Sequence, residues 1–319
     1  LLPDTRCEPG PNKNNHGPRD GTHHSSGGVR TRDNPEDTMI IRGSILVAAW
    51  LATAGAALAQ TPVERGKYLV NTILTCQNCH TPKGERGAPI FERDLSSGLV
   101  FDEPPFKVTS SNITQDKETG IGNWSDADIK RALQKGERPN GTRLAAIMPS
   151  DFYEILTPGD LDAIVAYLRT VKPVKQQTPT PEYRIALPRH IPPGAEKPFS
   201  EADMANKVKK GFYLVTIGHC MECHTPMGAK GRDFENSYGT GGFEFPGPWG
   251  VSVARNITSH KEKGIGAWSD TEIKRAITDG VSRDGSRLKP PMGYEFYKNM
   301  TDGDLDAIVA YLRTVPAKE

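Results

Sequence analysis

Apolar residues along this chain recur at helical spacing in short stretches. Leu161, Ile164, Val165 and Leu168 stand at i, i+3, i+4 and i+7, and Leu305, Ile308, Val309 and Leu312 repeat the stripe. That spacing predicts two amphipathic helices, each burying one face. Asp160 and Asp304 fall in their first turns, where a carboxylate suits the positive helix end. Ile129, Ala132 and Leu133 make a shorter stripe behind Ser125, a fitting N-cap, and Ser269 holds the same place ahead of a second such helix. Further helices are expected from about Val63 and from about Ala202, each leading into a CxxC pair. The connections are long and irregular. The expected fold class is all-α, with short helices that bury little apolar surface by themselves, so a large apolar group is needed to complete each core.

The elements come in pairs because the chain repeats itself. Cys76, Cys79 and His80 recur as Cys220, Cys223 and His224, at an offset of 144 residues. The same offset relates GIGNWSDADIKRAL from Gly120 to GIGAWSDTEIKRAI from Gly264, and GDLDAIVAYLRTV from Gly159 to its copy from Gly303. Ahead of the CxxC the register slips by one, since Gly66 pairs with Gly211. This period is far longer than a solenoid repeat, so the chain holds two copies of one domain. Domain 1 is read as 60–172 and domain 2 as 200–319. Between them, 173–199 is rich in proline and reads as a semi-extended linker.

The first sixty residues are of another kind. From Met39 the chain reads MIIRGSILVAAWLATAGAALAQ, with Arg42, an apolar run from Ile45 to Leu58 and small residues at 57 and 59. This is a secretory signal pattern over 39–59, with cleavage expected after Ala59. Residues 1–38 are polar and lack periodicity, and read as a disordered, non-native upstream extension. Cys7, His16, His23 and His24 are therefore set aside as ligands. With 40 basic and 39 acidic residues, the formal charge of +1 leaves no global field for nucleic acid or an anionic membrane.

CQNCH and CMECH are the candidate chemistry. A lone CxxC fits a disulfide, half a zinc site or a redox dithiol, but C-x-x-C-H is the signature of covalent haem attachment. Two thiols about one helical turn apart reach two vinyl groups of one macrocycle, and the following imidazole faces the iron. Two covalently bound haem c groups are thus expected, on Cys76 and Cys79 and on Cys220 and Cys223, with His80 and His224 as proximal iron ligands. A sixth ligand must come from elsewhere in each copy. Of the methionines, only Met148 and Met292 correspond, each 68 residues after its histidine, with Pro149 or Pro291 beside it. They are the expected second axial ligands. Met221, Met227 and Met300 fall opposite Gln77, Lys83 and Leu156. His190, His219 and His260 have no histidine counterpart and are read as loop or surface residues.

With the stretch NIT…TGIG-x-W-S-D-x-x-I-x-R-A, the Met loop and the closing DLDAIVAYLRTV helix, these motifs resemble the class I cytochromes c. The similarity is greatest to the cytochrome c subunits of bacterial periplasmic or membrane-bound dehydrogenases and molybdenum hydroxylases, and covers nearly all of Val63 to Val315. The resemblance implies that Gly66 packs against Tyr167 and Gly211 against Tyr311. It also places Asn112, Trp124 and Arg143, with Asn256, Trp268 and Arg287, as haem contacts. It implies a periplasmic electron-transfer protein, not itself an enzyme, passing single electrons from a dehydrogenase to a downstream cytochrome or terminal oxidase. Alcohol-oxidising relatives often carry three haem domains, whereas this chain has two. Ending in TVPAKE, it offers no apolar C-terminal anchor, so no integral membrane span is expected in the mature chain, and any association with a membrane would be through a partner. The alternative is a dihaem peroxidase-like enzyme with one open haem site, which would need unlike copies. Mass spectrometry of the secreted protein should find Gln60 at the N-terminus; a mature peptide that runs through Ala59 into Gln60 would refute the cleavage site.

Overall fold

The computed structural model describes residues 60–319 apart from 187, 230 and 248. The extension 1–38 and the leader 39–59 lie outside the described residues. In the first copy, Thr61 caps α1 (Pro62–Tyr68) through a reciprocal box with Glu64. The helix continues as a π turn, Leu69–Ile73, then breaks at Thr75 in the left-handed region (φ 49°) before α2 (Cys76–His80). The hairpin β1 (Val100–Glu103) and β2 (Phe106–Thr109) follows. Next come α3 (Asp126–Lys135), capped by Ser125 with Asp128, and α4 (Pro158–Leu168), capped by Thr157.

The second copy repeats this order with changes. Helix α5 (Glu201–Ala205) stops at Asn206, whose side chain accepts from the backbone of Val208 and Lys209 and so caps α6 (Lys207–Ile217). The single helix expected from Ala202 is therefore two. Helix α7 (Cys220–Cys223) follows His219, again in the left-handed region (φ 42°). Then come the short pair β4 (Met227–Gly228) and β5 (Gly231–Arg232) and the hairpin β6 (Glu244–Gly247) and β7 (Gly250–Val253). The copy closes with α8 (Asp270–Asp279), α9 (Tyr294–Tyr297) and α10 (Asp302–Leu312).

The one-residue slip of the repeat has a structural counterpart. Aligning GKYLVNTILTC with GFYLVTIGHC leaves Asn71 as the extra residue, and it sits inside the π turn. There Leu74 N–H bonds to Leu69 C=O at 2.9 Å, five residues back. A π turn is how a helix absorbs one added residue without losing its direction. The second copy lacks the residue, and α6 is an ordinary helix.

In each copy the first long helix crosses the last, α1 on α4 and α6 on α10. A Cβ on Gly66 would lie 1.9 Å from Ala163 O and 2.8 Å from Tyr167 Cβ; on Gly211 it would lie 1.9 Å from Ala307 O and 2.6 Å from Tyr311 Cβ. The glycines thus permit a backbone approach that no other residue allows, as the resemblance implied. Leu161, Ile164, Val165 and Leu168 are all buried, as are Leu305, Ile308, Val309 and Leu312.

The all-α expectation needs a correction. Three small sheets are present among the described residues, and their strands, of two to four residues each, are too short to show alternation in the sequence. The segment 173–199, read as a semi-extended linker, is fastened to the first copy. Within it β3 (Glu182–Tyr183) pairs antiparallel with β2. Arg189 binds Asp151 at 2.7 Å and Glu154 at 2.8 Å, and Ala195 is fully buried.

Gly66→Ala or Gly211→Ala should cost about 1–3 kcal/mol by overpacking, whereas Gly303→Ala, with no atom within 4 Å of the added carbon, should be neutral or slightly stabilising. Thermal unfolding of the three variants checks this; equal melting temperatures would refute the close crossing.

Candidate functional site

The two CxxCH segments are pinned by the backbone that follows them. His80 C=O accepts from Ser97 N–H at 3.0 Å, and His224 C=O accepts from Gly241 N–H at 2.8 Å. Each imidazole has the same partner in its copy: His80 Nδ1 lies 2.7 Å from Ser111 O and His224 Nδ1 lies 2.6 Å from Arg255 O. Facing a carbonyl, Nδ1 must be the protonated nitrogen, which leaves the Nε2 lone pair free for a metal. Burial holds both imidazoles below their ordinary range, so they stay neutral.

Burial pushes the thiols up, Cys76 to about 12, Cys79 to about 11, and Cys220 and Cys223 to about 12. A disulfide oxidoreductase needs a thiolate near neutral pH, and these groups are far from one. Among the described residues no cluster of three or more His, Cys, Asp or Glu surrounds a metal position either.

In the second copy the sequence candidates meet. A cavity of 560 Å³ is lined by Cys220, Cys223, His224, Asn256, Trp268, Arg287 and Met292. Apolar walls come from Leu214, Ile265, Ile273, Ile308 and Leu312, with Phe245, Val251 and Val253 of the hairpin closing one side. This size and lining suit a mostly apolar prosthetic group with a few fixed polar contacts. The free Nε2, the neutral thiols and the Met292 sulfur form the donor set of a covalent haem site, so the residues fit that group. Met300 also lines the cavity. The repeat comparison had set it aside because Leu156 stands opposite.

In the first copy Met148 and Trp124 are partly buried against the core and Arg143 is exposed. The two asparagines have definite work. Asn112 Nδ2 donates to Val174 O at 2.8 Å and its Oδ1 accepts from Thr114; Asn256 Nδ2 donates to Lys318 O at 2.7 Å and its Oδ1 accepts from Thr258. They tie the Asn-Ile-Thr turn to the chain beyond the last helix. Arg287 donates to Asp279 O at 3.0 Å. His219 pairs with Glu222, His190 packs edge-on to Phe234, and His260 Nδ1 accepts two backbone N–H groups, as Asp116 does in the first copy.

One pair escaped the sequence reading. Arg169 reaches from the end of α4 to Trp124 O at 2.6 Å and Asp126 at 2.7 Å. Arg313 does the same for Trp268 O and Asp270. These arginines fasten the tryptophan loops to the ends of the last helices. Their signal was present, since both lie inside the repeated YLRTV block.

The cytochrome c family matches the chain twice, over residues 63–172 and 208–316, and the chain belongs to that family. It carries two covalently bound haem c groups, one per matched region. It is 31% identical to the fructose dehydrogenase cytochrome subunit of Gluconobacter japonicus, over 88% of this chain and 58% of that protein. It is also 31% identical to the cytochrome c subunit of a quinone alcohol dehydrogenase of Gluconobacter oxydans, over 82% and 57%. A diheme cytochrome c-type protein of Cereibacter sphaeroides is 29% identical over 76% and 83%. The chain thus spans under two thirds of the two dehydrogenase subunits. In a protein of this family the residues supply ligands and a pocket for the haem.

Arg313→Gln should lower stability by about 1.5–3 kcal/mol through lost bonds to a charged group, read as a shifted denaturation midpoint; an unchanged midpoint would show that Arg313 does not hold the loop.

Proposed function

We propose that this chain is a periplasmic one-electron relay, taking electrons from a dehydrogenase and passing them to a downstream cytochrome or terminal oxidase. The observation that carries the reading is the meeting of His224, Met292 and the two thiols around one apolar cavity. Cys76, Cys79, Cys220 and Cys223 would hold the two groups covalently, and His80 with Met148 and His224 with Met292 would bind their irons. Bound haem would supply a ferric–ferrous couple, and a methionine together with histidine on the iron would raise its potential, as suits a late acceptor. The chain's own part is to present Nε2 of each histidine, fixed by its Nδ1 bond to a backbone carbonyl. It also keeps water from the iron with the apolar walls of the pocket. The dehydrogenase donor rests on the likeness to dehydrogenase cytochrome subunits. No helix among the described residues is long and apolar enough to cross a membrane, and export to the periplasm rests on the leader pattern of 39–59.

The test is the visible spectrum of the reduced protein before and after carbon monoxide. An unchanged spectrum is expected for two closed irons, with Met292→Ala opening one haem to the gas. A wild-type shift in half the haem would overturn the relay and reinstate an open-site enzyme, and an unchanged Met292→Ala spectrum would remove that methionine as ligand.

A further inference from the structure

The two copies do not hang from a tether. Tyr68, on α1 of the first copy, donates to Asp304 Oδ2 in the second at 2.7 Å and accepts from Thr301 N–H at 3.1 Å. Tyr213, on α6 of the second copy, donates to Asp160 Oδ2 in the first at 2.6 Å. Tyr68 and Tyr213 are the same position of the repeat, as are Asp160 and Asp304, so the exchange is reciprocal about a pseudo-twofold. Each carboxylate already has a cation from its own copy: Arg65 holds Asp160 through two bonds of 2.7 and 2.8 Å, and Lys210 holds Asp304 at 2.6 Å. Asp160 and Asp304 are buried, at 8% and 3% exposure. A buried, paired carboxylate that accepts one further directed bond fixes register more than it adds stability.

This clasp sets the haem-attachment segments against each other. Thr75, the residue before Cys76, and Asn78 between the two cysteines line the second copy's cavity. A Cβ on Gly293, next to Met292, would stand 3.6 Å from Thr75 Cγ2, and one on Gly218 would stand 3.6 Å from Ile73 O. Helix α9 packs on the π turn of the first copy. Tunnelling falls off exponentially with distance, so juxtaposed attachment edges make the shortest path between the sites an internal one.

Resting on the relay reading above, we propose that Tyr68 and Tyr213 are positioning residues: their crossed bonds to Asp304 and Asp160 lock the two haem sites edge to edge as one exchanging pair. The step they serve moves a single electron from the reduced to the oxidised site, with no bond made or broken and no proton transferred. The chain therefore delivers its electrons through whichever copy meets the acceptor.

The experiment uses the mature protein with both haems attached, fully oxidised, and reads the dipolar coupling between the two ferric irons by pulsed electron paramagnetic resonance. The wild type should give a resolved coupling with one narrow distance. Tyr68→Phe/Tyr213→Phe keeps both rings and leaves each aspartate its cation, so it should fold, keep its optical spectrum and lose the narrow distance. The single variant Tyr68→Phe serves if the double variant does not fold, and should broaden the distribution. Uncoupled irons in the wild type would overturn the juxtaposition, and a distance as narrow in the variant would overturn the role of the tyrosines. Failure of the relay reading is separate, since it appears as a carbon monoxide shift in the optical spectrum.

Discussion

The close crossing of the first and last helices is the constraint on which each copy depends. Gly66 against Ala163 and Gly211 against Ala307 bring two backbones into direct contact. That contact aims the CxxCH segment at the end of the first helix and places the far end of the last helix beside the tryptophan loop. Arg169 and Arg313 then bridge from that end to the loop, and Asn112 and Asn256 tie the adjoining turn to the residues that follow. The remaining loops are laid around a space, not around one another. A chain with 36% hydrophobic residues can be arranged this way because the missing interior belongs to the prosthetic group.

How much of this was legible follows from how far apart in sequence the interacting groups lie. The long helices, their caps at Ser125 and Ser269 and their buried faces are local patterns, and the chain displays them twice. The register slip ahead of the CxxC was legible as a slip, and its form as a π turn at Asn71 was not, because a single added residue can equally loop out. The candidate ligands of the second copy were found by matching copies and converge on one cavity. The hairpins were missed because strands of four residues carry no usable period. The clasp was missed because its bonds span 236 and 53 residues, and no local rule joins Tyr68 to Asp304 or Tyr213 to Asp160. Asp160 read as a helix-end charge, and its burial with Arg65 and Tyr213 gives it a larger part.

Sequence identity between the copies hides a difference in how their loops are held. In the first copy β3 from the segment after the domain completes a three-stranded sheet, and Phe106, Val108 and Ala145 form a small buried cluster beneath it. Gly250 and Ser252 occupy the places of Phe106 and Val108 in the second copy, so no such cluster can form there, and β6 and β7 stand as a two-stranded hairpin. Their side chains Val251 and Val253 turn to the cavity instead.

A second difference lies behind the attachment segments. Asp94 in the first copy accepts from Gln77 at 2.7 Å and from Thr81, close under Cys76. Tyr238 holds that place in the second copy and shares a hydroxyl contact of 3.0 Å with Tyr311. Asn71, with its side-chain oxygen buried and unbonded, adds a further dipole to the first copy alone. The residues read as iron ligands are the same in both copies, so any difference in potential between the two sites has to come from such surroundings. A carboxylate in a low-dielectric wall favours the more positive, oxidised state of its neighbour, and a neutral phenol does so far less. The residues read as iron ligands thus match between the copies, and the substitutions that distinguish their surroundings, Asp94 against Tyr238 and the added Asn71, lie behind them.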